Sequence, residues 1–510
     1  MARGKRIIVI GAGIGGLTAA ALLARRGYGV RCFDLAIVPG GCASTFRRRG
    51  FTFEVGATQV AGLEPGGVHH RIFEELAVPL PAATPCDPAC AVFLPDETEP
   101  ISVWRDRDRW HQERSRQFPG SDRFWQLLAN LFRWSWEFQG GDPVLPPRNL
   151  WDVAQLLKAV RPSTLLTAPY TFSTVGDLLR AYGLDGDRRL TTFLDLQLKL
   201  YSQATADETA LLYAATALGL SQTPFGLYHL EGSMQVLSDR LGDAFKRDGG
   251  TLHMGHRVTE IRVEGGRATG VTVSDTKTGR TWFEAADAIV ANVTVENLAT
   301  LVQGADSLGA IGQGLWQGFR RRVEKLTSPS GAFVIYLGVD RAALPENCPP
   351  HLQFLYDYDG PIGENNSLFV SVSRDRDGRA PDGRATITAS SFTDPQIWQQ
   401  ATGDRYQALK RQYTEEAIAK LGQYFDLRPE HVIHVEAATP KTFETFTGRS
   451  RGIVGGVGMR PSTFGPFGFA NRTAIPHLWL VGDSTHPGEG TAGTSYSALT
   501  AVRQIEAEFA

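Results

Sequence analysis

Residues Ile7 to Ile10 form a continuous β-branched run, and directly behind it Gly11, Gly13 and Gly16 fill the pattern G-x-G-x-x-G. Such a run, without polar alternation, predicts a strand covered on both faces of a parallel sheet. The glycines then serve a tight turn, a bare backbone open to an anion, and the close packing of a helix on the strand. From Leu17 to Arg26 the chain is rich in Ala and Leu, and Gly27 follows where a helix commonly stops. "YGVRCF" supplies a second strand ending at Asp34, eighteen positions after Gly16. That is close to the roughly twenty-residue offset at which a carboxylate meets ribose hydroxyls. The unit therefore reads as a dinucleotide site with the pyrophosphate on the helix N-terminus, and it leaves NAD and FAD open.

At 510 residues the chain is long for one hydrophobic core, so two domains are expected. A formal net charge of −2 provides no general basic field, which speaks against a nucleic-acid partner. Five cysteines, Cys32, Cys42, Cys86, Cys90 and Cys348, are an odd and sparse set that points to a reducing, cytoplasmic compartment rather than a disulfide framework. "MARGK" runs straight into the first strand, so the apolar run is read as sheet and not as a signal peptide. No apolar stretch reaches the roughly 18 residues of a spanning helix, so any membrane contact is expected to be peripheral. The histidines are scattered; His431 and His434 fall in a strand-like run whose spacing turns them to opposite faces, and no metal site is expected.

Pro39-Gly40-Gly41 predicts a sharp turn and "GFTFEVG" a short alternating strand. A largely helical section follows to about residue 229. In "GSMQVLSDRLGDAFKRDGGTLHMGHRVTEIRV", Met234, Leu237, Leu241 and Phe245 recur at helical spacing, Gly249 and Gly250 stop the helix, and "TLHMGHRVTEIRV" reads as strand. Strands such as "GAFVIYLGV" and "SLFVSVS" indicate a second, mixed sheet. The expected class is mixed α/β: a discontinuous Rossmann-like cofactor domain over 1–80, 230–300 and 450–510, and a substrate domain over 81–229 and 301–449.

The C-terminal stretch distinguishes the two dinucleotides. A flavin is longer than a nicotinamide on its redox side, and its pyrimidine edge gains negative charge on reduction. "LWLVGD" places Gly482 and Asp483 at a strand end, and "GEGTAGTSYSAL" opens a second helix whose free amides around Thr491 and Ala492 suit that edge. Two helix N-termini are more than NAD needs, so FAD is expected.

Together, "VIGAGIGGLTAAALLARRGYGV…FD", "GG…STF…GFTFEVGAT", "GSMQVLSDRL" and "LWLVGDSTHPGEGTAGTSYSALTAV" resemble the FAD-dependent carotenoid desaturase and isomerase group of the amine-oxidase-like flavoproteins. Within it, Phe193 to Leu241 and "GATQVAGLEPGGVHHRIFEEL" look like the cyanobacterial-type C-3',4' desaturase. The resemblance implies that Gly11, Gly13 and Gly16 hold the pyrophosphate and Asp34 the adenosine ribose. Gly41 and Ser44 approach the phosphates, Val258 meets the adenine through its backbone, and Asp483 with Thr491 meets the ribityl chain and ring. Asp34 stands where Glu is usual, and Cys42 where many relatives have Arg.

The resemblance further implies a lipophilic, hydroxylated carotenoid substrate, hydride transfer to flavin N5, and reoxidation by an unnamed acceptor, quinone or oxygen. Two alternatives share the superfold: a carotenoid cis-trans isomerase using reduced FAD, and a flavin-free prenyl-lipid escort protein. A cation beside a polyene is already delocalised, so positioning and exclusion of water suffice, and no catalytic residue is assigned. Finally, "FWQLLANLFRWSWEFQ" predicts a helix with a polar stripe of Gln126, Asn130, Arg133 and Glu137 and a wide face bearing Trp125, Phe132, Trp134 and Trp136. That face suits either a membrane interface or the interior of the substrate domain, and a bilayer-dwelling substrate favours the first.

Overall fold

The run Arg6–Ile10 becomes the middle strand of a five-stranded parallel sheet in a computed structural model that describes residues 4–327 and 329–510. Residues 1–3 of the expected cofactor domain and Ser328 of the expected substrate domain lie outside the described residues. The strand order is Thr251–Met254, Gly29–Asp34, Arg6–Ile10, Ala288–Ala291 and Leu478–Leu480. The β-branched run is apolar on both sides because both sides are covered. Ile7 and Val9 pack with the helices Ile14–Arg25, Gln235–Arg247 and Gly490–Phe509. Ile8 and Ile10 face a four-stranded sheet through Val258, Ile261, Val271 and Val273.

The first helix ends as its sequence requires. Gly27 adopts φ +90°, and its amide and that of Tyr28 close back on Ala24 and Leu23 at 2.9 and 3.1 Å. The expected strand "TLHMGHRVTEIRV" is two strands, because Gly255 turns the chain at φ +73°. Thr251–Met254 stays in the parallel sheet, and His256–Glu264 joins the antiparallel one. "GFTFEVG" also differs from expectation: all four residues of Phe51–Glu54 are buried, so the strand does not alternate between core and solvent.

A seven-stranded mixed sheet forms the second layer, with Ser367–Val372 at its centre, the long strands Gly331–Asp340 and Arg384–Thr393 paired on one side of it, and Cys90–Phe93 and Ile101–Val103 at the far edge. Phe333, Ile335, Leu337 and Val339 alternate into a core with Trp398 and Phe425. A buried charge network ties this sheet to the start of the helix Gln235–Arg247. Arg379 donates to Glu54 at 2.8 Å and to Asp377 at 2.9 Å, and the amide of Met234 reaches the same Glu54 carboxylate at 3.1 Å. Each charge is thereby paired and hydrogen-bonded, the condition under which buried ions are tolerated.

The aromatic helix spans Asp122–Gln139; Trp125 and Phe132 of its wide face lie in the interior, and Trp134 and Trp136 are half-buried. Trp125 is 4% exposed, its indole donates to Ser121 Oγ at 3.1 Å, and it packs against Trp110 and Phe124. Gln126, Arg133 and Glu137 remain on the exposed stripe. Among the described residues no helix is long and apolar enough to cross a membrane.

Candidate functional site

The glycine turn is built by contacts that span both strands flanking it. Gly11, at φ +91°, donates its amide to Phe33 O at 2.8 Å. Asp34 then accepts from the amides of Ala12 at 2.6 Å and Ala36 at 2.7 Å. Burial raises the Asp34 carboxyl above its usual range, and the two amides oppose that shift. The turn at Pro39 to Gly41 lies against the same loop: Gly40 donates to Ala12 O at 2.8 Å and Gly13 bridges Gly40. Gly16 does not face the opening but sits behind it, where a Cβ would lie 1.8 Å from Gly11 O.

Beyond the turn runs a cleft of about 340 Å³. Gly11, Gly13, Asp34, Gly41, Val258, Gly482, Asp483 and Thr491 all line it, drawn from segments separated by up to hundreds of positions. Two of the ten expected residues do not line it. Gly16 serves the helix-on-strand packing, and Ser44 turns its hydroxyl onto Gly41 O at 2.7 Å, holding the turn instead of facing the opening.

Two helices begin on this cleft, Ile14–Arg25 with Gly13 as N-cap and Gly490–Phe509 with Glu489 as N-cap. Neither has a side-chain capping bond or an acidic residue in its first turn. Their first amides are therefore available as donors, and both dipoles direct positive potential into one opening. With a carboxylate at one end and a glycine cradle between, the residues present fit a dinucleotide: amides for the diphosphate and Asp34 for ribose hydroxyls.

Three lining residues have no counterpart in the sequence reading. Asn292 follows the strand Ala288–Ala291, and its backbone and side chain fill the space that Cβ atoms at Gly11, Gly13 and Gly15 would enter, at 2.7–2.9 Å. Arg449 pairs with Asp483 at 2.9 Å and donates to Ile453 O at 2.9 Å. Glu489 lies within the glycine-rich stretch that opens the second helix, where a lone carboxyl among glycines is the available signal. Burial pushes the Cys42 thiol up, and Arg449 partly offsets this.

The profile of an NAD(P)-binding Rossmann-like domain matches residues 9–76. Over 98% of this chain and 84% of the relative, the sequence is 28% identical to prolycopene isomerase 1, chloroplastic, of an Oncidium hybrid cultivar. It is 26% identical to the zeta-carotene-forming phytoene desaturase of Myxococcus xanthus over 99% of this chain and 94% of that one. Among solved structures, cyclohexylamine oxidase from Brevibacterium oxydans shares the fold with a TM-score of 0.60 at 16% identity, over 98% of this chain and 99% of that one.

Proposed function

We propose that this chain, similar over 98–99% of its residues to a prolycopene isomerase and a phytoene desaturase, is an FAD-dependent oxidoreductase that introduces a C=C bond into a carotenoid. The observation that carries the reading is the convergence of two uncapped helix N-termini and Asp34 on one cleft. One N-terminus suffices for a pyrophosphate, and the second serves the redox end of a longer cofactor. FAD bound there supplies a two-electron acceptor for a hydride leaving the polyene.

The chain's own residues bind and orient. The first amides of Ile14–Arg25 hold the diphosphate, Asp34 receives ribose hydroxyls, and the amides near Thr491 face the ring end. Asp483 is held for the ribityl side by its pair with Arg449. Tyr213, Met459 and Phe469 are buried in the apolar cluster on the same side of the sheet as Ile8 and Ile10.

We propose C-3',4' of a hydroxylated end group as the target bond, on the resemblance of Phe193 to Leu241 noted above. The similarity to prolycopene isomerases favours a second reading, cis-trans isomerisation without net oxidation. Expression in a carotenoid-producing host, with pigment mass compared with and without this protein, separates the two. Loss of two hydrogens supports the desaturase, and unchanged mass with an altered isomer pattern supports the isomerase.

Peripheral membrane contact belongs to the same proposal, on a surface other than the aromatic helix. Leu150, Leu157, Leu165 and Phe172 are 87, 67, 66 and 71% exposed along the consecutive helices Leu150–Ala159 and Pro162–Leu165 and the turn after them. Exposed Lys158 and Arg161 interrupt the patch, so an apolar surface carries cationic groups suited to lipid headgroups.

A further inference from the structure

We propose that Glu489 enters the cleft as an uncharged carboxylic acid and donates a hydrogen bond from Oε1 to the bound flavin, which couples cofactor binding to one proton. The proposal rests on the flavin reading above. Glu489 stands immediately before the helix Gly490–Phe509, yet its side chain does not cap that helix and lines the cleft instead. Oε2 accepts from Gln203 Nε2 at 3.4 Å. Oε1 is buried and has no hydrogen-bonding partner among the described residues. A buried carboxylate oxygen left in this way is costly, whereas a protonated one carries a donor to offer.

The surrounding charges favour the neutral acid. Asp483 faces Glu489 from the loop after Leu478–Leu480. The nearby cation, Arg449, is committed to Asp483 at 2.9 Å, to Ile453 O and to Gly455 O. Lys199 approaches from the helix Arg188–Ser202, with its ammonium on Gln203 O at 3.2 Å, and burial lowers its pKa. Tyr213, from Leu211–Gly219, is held protonated by burial. A second ionised carboxylate would therefore share Arg449 with the first, while Lys199 is engaged by Gln203 O. Burial, then Asp483, push the Glu489 carboxyl up to about 8, against the pull of the Gly456 amide and Gln203. Gly455, at φ +72°, allows this contact, because a Cβ there would lie 2.6 Å from both Gln203 Nε2 and Glu489 Oε2.

The two carboxyls thus divide the work, Asp483 paired with a cation and Glu489 serving as donor. Above its pKa, Glu489 loses the donor and adds negative charge beside an anionic cofactor, so affinity falls as pH rises.

The test is FAD binding to the apoprotein, read by flavin fluorescence between pH 6 and 9, for the wild type, Glu489→Gln and Glu489→Ala. The wild-type Kd is expected to be flat to near pH 7.5 and then to weaken toward a limiting slope of about tenfold per pH unit. Glu489→Gln should bind with no break, and Glu489→Ala should bind more weakly than Glu489→Gln at every pH. Calorimetry of the wild type alone at pH 8.5, in two buffers of different ionisation enthalpy, should show proton uptake on FAD binding. A break retained by Glu489→Gln, a flat wild-type profile, or no proton uptake overturns the proposal. FAD binding at no pH overturns the flavin reading itself and removes the proposal with it.

Discussion

Arg449 Nη2 stands 2.9 Å from the Asp483 carboxylate on the cleft wall, with the two side chains 18 and 17% exposed. Attraction is strengthened where water is scarce, but each charge also lost hydration to be there. Removing one partner should therefore cost more than removing both. Arg449→Met and Asp483→Asn alone are expected to lose up to about 3–5 kcal/mol each, and the double variant well under their sum. Urea unfolding of all four proteins measures this, and additive losses would show that the pair is not coupled.

Gly16 is the glycine most constrained by packing. A Cβ there would stand 1.8 Å from Gly11 O, so Gly16→Ala must move the turn that presents the first helix N-terminus. The expected result is a stability loss of about 1–3 kcal/mol together with loss of FAD retention. Gly186→Ala is the control, since nothing lies within 4 Å of its Cβ position. Unchanged flavin content in Gly16→Ala would contradict the assignment.

Four buried histidines set the acid limit of stability. Burial lowers His229 and His351 below the ordinary 6.5, and His69 and His486 to about 4. Below pH 6.5 the unfolded chain binds protons that the folded chain refuses, so stability is full above that pH and falls as pH drops toward the folded values. The urea midpoint should decline from pH 6.5 to 5, and His486→Gln should reduce the slope. A midpoint constant across that range would refute this account.

The apolar patch predicts where the protein meets lipid. Leu157→Glu with Leu165→Glu should weaken binding to anionic liposomes about a hundredfold or more, since each leucine withdrawn from lipid forfeits ~1.5–3 kcal/mol. Folding should be unaffected at such exposed positions. Trp125→Glu should instead unfold the helix packing around it. Wild-type-like liposome binding by the double glutamate variant would remove the patch from consideration.

Much of the nucleotide side was legible because its determinants are local. A β-branched strand, three glycines at fixed offsets and an alanine-rich helix specify one another within Arg6 to Asp34, and eight of ten expected site residues line one cleft. The aromatic helix was less legible: its amphipathic pattern states which face is apolar but not what covers that face. Its true cover, Trp110 and Phe193, lies on other elements.

Sequence by itself determined the parallel strands, the glycine turn and the two helix starts, since backbone propensity and turn stereochemistry act over a few neighbours. Only the tertiary structure decided that Asn292 fills the space the glycines leave, that Arg449 reaches Asp483, and that Glu489 turns away from its own helix toward Gln203. It also decided that a strand-like run divides at Gly255 between two sheets. Those outcomes depend on burial and charge contributed by distant segments, and such energies exist only once the chain has brought the segments together.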